Sequence, residues 1–133
     1  MHAPTVGVMT VDDQPAFREV AREVIEATGG FVHLGEASCA EEALALAGQV
    51  DPDLVFVDVR MPGIDGLETA RRLKASHPAA TIVLISTEGF EGDPSGVESS
   101  GAAAFLRKED FRPSMLQRLW DEHGRRGRSV SPA

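Results

Sequence analysis

Cysteine is almost missing from this chain of 133 residues: Cys39 stands alone, so no internal disulfide can form. A reducing, cytoplasmic setting is the expectation that follows. The four scattered histidines, His2, His33, His77 and His123, show no metal-ligand spacing with that cysteine. Long apolar runs are missing too. None approaches the roughly 18 residues of a membrane span, and the N-terminus lacks the basic-then-apolar pattern of a signal peptide. Positive charge is in short supply: 13 Lys and Arg stand against 21 Asp and Glu, for a net charge of -8. A field of that sign repels phosphate backbones, so no nucleic acid is expected on this domain, whereas a divalent cation suits it. The length fits one domain whose core needs neither a disulfide nor a structural metal.

What the chain does contain is alternation. Residues 54–58 (LVFVD) form an apolar, β-branched run, as in a strand buried on both faces, yet the run ends on a carboxylate and a Pro/Gly loop. Similar runs at residues 5–11 and 81–85 predict two further buried strands, and residues 31–37 and 103–107 two weaker ones. Between them lie helical patterns. Phe17, Val20, Ala21, Val24 and Ile25 share one helix face, and Gly29-Gly30 ends that helix. Ser38 with Glu41 predicts a capping box for a second helix, and Asp65 with Glu68 for a third that buries Leu67, Ala70 and Leu73 and leaves Arg71, Arg72 and Lys74 in water. Residues 88–101 are rich in Gly and Ser, so only a short fourth helix from about residue 94 is expected. Pro113 opens a last helix with Met115, Leu116, Leu119 and Trp120 inward. Five strands alternating with five helices predict βαβ units and an α/β fold with a parallel sheet. Residues 1–124 form this domain; residues 125–133 (RRGRSVSPA) read as a disordered tail or the start of a linker.

In a parallel sheet every strand's carboxyl end lies on one edge, where ligands of open α/β sheets bind. The first strand runs into Asp12-Asp13, the third into Asp58, the fourth into Ser86-Thr87 and the fifth into Lys108. Singly, each residue has a bland role: Asp12 as a helix cap, Asp58 as a loop cap, Lys108 as a solvated charge. Together they place three carboxylates, a hydroxyl and an ammonium in one crevice. Like charges so close call for a cation, and oxygen ligands with open positions suit Mg²⁺. Carboxylate, Mg²⁺, lysine and hydroxyl are the parts of phosphoryl transfer, with Asp58 as the nucleophile that becomes an aspartyl phosphate. Asp65 is better read as a helix cap, Thr87 as a loop residue and Cys39 as a small residue at a helix start.

The segments VDDQ, FVDVRMPGIDG, ST and FLRK, in this order and at these separations, resemble the receiver domain of two-component response regulators over about residues 5–123. The resemblance implies a flavodoxin-like (βα)5 three-layer sandwich with sheet order 2-1-3-4-5. It also implies Mg²⁺-dependent transfer of a phosphoryl group from a histidine kinase or phosphotransfer protein to Asp58. Asp13, Asp58 and the Arg60 carbonyl would ligate Mg²⁺, Asp12 would act through a metal-bound water, and Lys108 would pair with the phosphoryl group. Ser86 matches the hydroxyl switch position and Phe105 the switch aromatic, so phosphorylation would remodel the surface of the fourth helix, fifth strand and fifth helix. Homodimerisation and a helix-turn-helix output in transcription regulation are further family expectations. Such a domain is not an enzyme beyond its own phosphotransfer and slow autodephosphorylation.

The fourth-helix region is unusually poor in helix formers for this family, and two further features bear on the site. Glu109 stands where a proline commonly follows the lysine, which predicts a trans bond and a less constrained loop. Arg60 and Glu88, two residues beyond Asp58 and Ser86, are placed to meet across the mouth of the crevice and impede attacking water, which predicts a long phosphate lifetime. Other readings are weaker. A haloacid-dehalogenase-type phosphatase needs a second acid where Arg60 stands, and a nucleotide-binding domain needs a phosphate-cradling loop where VDDQPA stands. The competing reading is a pseudo-receiver, a phosphorylation-independent interaction and dimerisation module, against which the intact Asp13, Asp58 and Lys108 speak.

Overall fold

The computed structural model describes residues 5–61, 63–88 and 94–124. The stretch 125–133 read as a tail, Pro62 of the strand-end loop and residues 89–93 of the Gly/Ser-rich segment lie outside the described residues. Elements follow in strict alternation: β1 (Val6–Val11), α1 (Pro15–Ala27), β2 (Phe31–Ala37), α2 (Ala40–Val50), β3 (Leu54–Asp58), α3 (Gly66–Ser76), β4 (Thr81–Ser86), α4 (Pro94–Ser99), β5 (Ala104–Arg107) and α5 (Pro113–His123), with one 3-10 turn at Lys108–Asp110. All strand pairings are parallel and the sheet order is β2-β1-β3-β4-β5, as expected.

The continuous apolar runs are explained by covering on both faces. Every residue of β1, β3 and β4 is buried, while the edge strands β2 and β5 are only partly so. Alternate residues feed two cores. Met9, Val11, Val55, Val57, Ile82 and Leu84 meet Ala43 and Ala47 of α2 and Ala70 and Leu73 of α3. Val8, Leu54, Phe56, Val83 and Ile85 meet Ala21 and Ile25 of α1 and Leu116 and Leu119 of α5. Each fully buried large aliphatic side chain contributes about 1.5–3 kcal/mol of transfer free energy. Because the chain leaves β1 for β2 on one side and returns to β3 on the other, the sheet has its switch point between β1 and β3, and the crevice opens beyond their carboxyl ends.

Three local expectations are corrected. Val20 is 48% exposed: α1 buries Ala21 and Ile25, and a stripe that wide does not reach the sheet across its whole width. Ser38 pairs with Glu42 and not Glu41; its N–H and hydroxyl both donate to Glu42 Oε1, at 2.8 and 2.7 Å, because Cys39 rather than Ser38 occupies the N-cap of α2. Lys74 is not left in water, since its ammonium donates to the carbonyls of Pro78 and Ala80 at 2.9 and 2.8 Å and ties off the α3–β4 loop. The cap at Asp65 is as expected, with Oδ1 accepting from the Glu68 N–H at 2.9 Å.

Candidate functional site

Asp58 is the last residue of β3 and is only 5% exposed. Its carbonyl is approached so closely by the start of α3 that a Cβ at Gly66 would collide with it, and the Gly66 N–H donates to the Val59 carbonyl at 3.0 Å. Glycine is required there because backbone meets backbone. On the other side, Asp58 Oδ1 accepts from the Arg60 N–H at 3.1 Å, a turn made by the carboxylate over its own loop.

Around Asp58 the neighbouring strand ends converge as the sequence predicts. Asp12, fully buried, follows β1, and its Oδ1 accepts from the Gln14 N–H at 2.8 Å. Asp12, Asp13 and Asp58 each place one carboxylate oxygen within 4.8 Å of the others. Lys108 follows β5, and its ammonium lies 2.7 Å from Asp12 Oδ2 and 3.5 Å from Asp58 Oδ2. Ser86, the buried last residue of β4, accepts weakly from the Glu88 N–H at 3.3 Å. Phe105 stands in β5 opposite Leu84, two positions before Arg107, the register partner of Ser86, and packs into the core on the α2/α3 face. Arg60 and Glu88 do meet, at 3.9 Å, but each is about two-thirds exposed, so the pair is a weak one. A pocket of about 130 Å³ opens between Gln14, Asp58, Arg60, Ser86, Thr87, Glu88 and Lys108. No cis peptide occurs among the described residues, in line with Glu109 in place of proline.

Burial pushes the Asp58 carboxyl above the usual carboxylate range; the Arg60 N–H opposes the rise, the charge of Asp12 adds to it and the Lys108 ammonium works against it. Mutual repulsion between the carboxylates is therefore the lesser cause, and desolvation the greater, of the tension read in the sequence. The donor set fits a small hard cation: three carboxylates converge, all ligands are oxygen, and among the described residues buried Asp12 Oδ2 has no hydrogen-bond partner besides its ion pair with Lys108. Bound there, a divalent ion would neutralise the carboxylates and polarise phosphoryl oxygens.

Sequence reading missed two neighbours. Gln14 Oε1 accepts from the Lys108 ammonium at 3.1 Å, and the same ammonium lies 4.6 Å from the centroid of the Phe17 ring. Gln14 offered one clue, standing at a helix start two residues after Asp12; Phe17 looked like plain core. Thr87, read as a loop residue, lines the pocket.

Comparison with known proteins follows the same line. The family model of the response regulator receiver domain matches residues 8–119. Response regulator GacA of Pseudomonas aeruginosa is 32% identical over 114 residues, covering 86% of this chain and 53% of that protein. The nitrate/nitrite response regulator protein NarL of Escherichia coli is 32% identical over 112 residues, covering 84% and 52%. The chain thus spans about half the length of the curated relatives it matches. Among solved structures, a LuxR-family two-component response regulator from Aurantimonas superposes with a TM-score of 0.78 at 30% identity, covering 89% of this chain and 84% of that one. With this sheet order and a family match over residues 8–119, this chain belongs to the response regulator receiver domain family.

Proposed function

We propose that Asp58 accepts a phosphoryl group from a histidine kinase or phosphotransfer protein in a Mg²⁺-dependent reaction. One observation carries this reading: a buried carboxylate at the end of β3, flanked by two further carboxylates and an ammonium 3.5 Å away, opens on a pocket with a hydroxyl at its edge. An Asp58 oxygen attacks phosphorus, the phosphorus–nitrogen bond of the phosphohistidine breaks, and the departing imidazole takes up a proton from water. Asp13, Asp58 and the Arg60 carbonyl would hold Mg²⁺, with Asp12 acting through a bound water. Lys108 supplies charge to the transferred group. Transfer adds roughly one unit of negative charge and strong acceptor oxygens at Asp58, which attract the Ser86 hydroxyl and Lys108. Ser86 moves inward, Phe105 takes the space it leaves, and the surface of α4, β5 and α5 is remodelled.

The chain turns over no separate substrate: its chemistry is its own phosphorylation and a slow hydrolysis impeded by Arg60 and Glu88. Residues 1–124 would act as the receiver unit in the cytoplasm, self-associating on phosphorylation and passing the signal to an output such as transcription control. No described helix is long and apolar enough to cross a membrane. Incubation with acetyl phosphate and Mg²⁺, followed by intact mass, tests the central claim. The expected result is one added phosphoryl group on the wild type and none on Asp58→Ala. An unmodified wild type would instead favour the pseudo-receiver reading. Beryllofluoride with Mg²⁺ should shift the amide resonances of residues 86–108, and sedimentation under the same conditions reads self-association.

A further inference from the structure

Lys108 begins a single 3-10 turn closed by the Phe111 N–H on the Lys108 carbonyl at 3.1 Å, with no proline to stiffen it. Its side chain is nonetheless only 10% exposed. The ammonium meets four groups: two carboxylates, Asp12 and Asp58, and two neutral groups, the Gln14 carboxamide oxygen and the Phe17 ring. Both neutral groups come from the start of α1. Gln14 holds the N-cap position, yet its side chain makes no cap hydrogen bond, and glutamine is not among the residues that cap well. Its carboxamide reaches Lys108 instead. Phe17 is fixed from behind, packing edge-on against Phe111 at 5.4 Å, which in turn packs edge-on against Phe56 at 4.8 Å. Phe56 is fully buried in β3, two residues before Asp58. The start of α1 is itself braced, since Arg18 donates to the Asp12 carbonyl at 2.7 Å and to Glu36 of β2 at 3.1 Å.

The two kinds of partner behave differently when the site is loaded. A cation held by Asp58 directly and by Asp12 through a bound water would draw on the two carboxylates that now hold Lys108. A carboxamide oxygen and a π-face bind no hard cation in competition with carboxylates, and they hold an ammonium without neutralising it. We propose that Gln14 and Phe17 are positioning residues that keep the Lys108 ammonium over the acceptor when the carboxylates are occupied, taking the part of the missing proline. This rests on the reading of Asp58 as the phosphoryl acceptor.

The chain has two lysines, Lys74 and Lys108, so the ε-methylene signals of ¹³C-lysine-labelled protein are assignable with Lys108→Met. In the wild type the Lys108 ε-protons should lie upfield, from the ring current of Phe17. Phe17→Leu, which keeps an apolar side chain in the core, should abolish that shift, and Phe17→Tyr should keep it. With acetyl phosphate and Mg²⁺, Phe17→Leu and Gln14→Ala should each slow phosphorylation about three- to tenfold while leaving the Mg²⁺ affinity within about twofold, and Phe17→Tyr should restore the rate. A Lys108 signal that Phe17→Leu does not move, wild-type rates in both variants, or an equal loss of Mg²⁺ affinity would each overturn the proposal. An upfield Lys108 signal in a wild-type protein that takes up no phosphoryl group would overturn the acceptor reading and leave the placement of the ammonium intact.

Discussion

Asp53 and Asp58 lie at opposite ends of one strand, five positions apart, both under 10% exposed, and their environments differ completely. Asp53 is matched to backbone: its Oδ2 accepts from the Gly7 N–H and its own N–H donates to the Gly7 carbonyl, both at 2.8 Å, while its carbonyl accepts from the Thr81 N–H at 2.9 Å. It ties the amino ends of β1, β3 and β4 together. Asp58 faces two other carboxylates, an ammonium and a pocket, and its protonated form is favoured by burial. Burial of a carboxylate is therefore no guide to its role. What separates the two is the kind of partner: backbone groups of neighbouring strands at Asp53, other charged side chains and an open pocket at Asp58.

Removal of the two acids should have opposite effects. Asp53→Ala should lower stability by about 1–3 kcal/mol in urea denaturation, because it orphans the Gly7 N–H, yet still accept a phosphoryl group at a temperature where it is folded. Asp58→Asn should accept none and unfold at equal or higher urea than the wild type at neutral pH. The converse pattern would exchange the roles assigned to the two residues.

Lys108 supplies the next contrast. Without it Asp12 and Asp58 face each other uncompensated, so Lys108→Met should melt lower than wild type in the absence of divalent ions. Mg²⁺ should raise its melting temperature more than that of the wild type, since no ammonium competes for Asp12. Equal increments would show that Lys108 and the cation do not share the carboxylates.

A smaller effect concerns pH. The folded-state pKa of Asp58 is raised, so the folded chain holds this proton more tightly than the unfolded chain. The stability it contributes is full below the unfolded value and is lost as pH rises through the folded one. In metal-free buffer the wild type should therefore lose stability relative to Asp58→Asn as pH climbs from about 4 to 7. A flat difference would mean that Asp58 is not desolvated in solution. The smallest expected change is at the rim. Arg60→Ala removes an exposed pair at 3.9 Å, and the phosphate lifetime should fall by no more than about fivefold, read by the decay of the phosphorylated mass.

The order of elements, the three buried strands and the acids at their ends were legible in the sequence because a strand covered on both faces must be apolar, and a charge at its end is conspicuous. Less legible were features set by tertiary contact. Nothing local distinguishes Glu41 from Glu42 as the partner of Ser38, since the choice depends on which residue starts α2. Val20 follows the helical period but α1 is too narrowly covered to bury it. Asp53, in a Pro-flanked loop signal, gave no hint of its bond to Gly7, 46 residues away. Gln14 and Lys108 are 94 residues apart, and only the closed sheet brings them together.

The contact at Gly66 has a mechanical consequence. With no room for a side chain between α3 and the Asp58 carbonyl, the end of β3 is the fixed jaw of a vice. At the end of β4 the backbone of Ser86 stays paired with Arg107 of β5, while its hydroxyl accepts one long hydrogen bond, from the Glu88 N–H at 3.3 Å. Under the proposed phosphorylation, a pull at Asp58 would therefore be felt by the Ser86 hydroxyl before it displaced β3, and the glycine contact would set that direction.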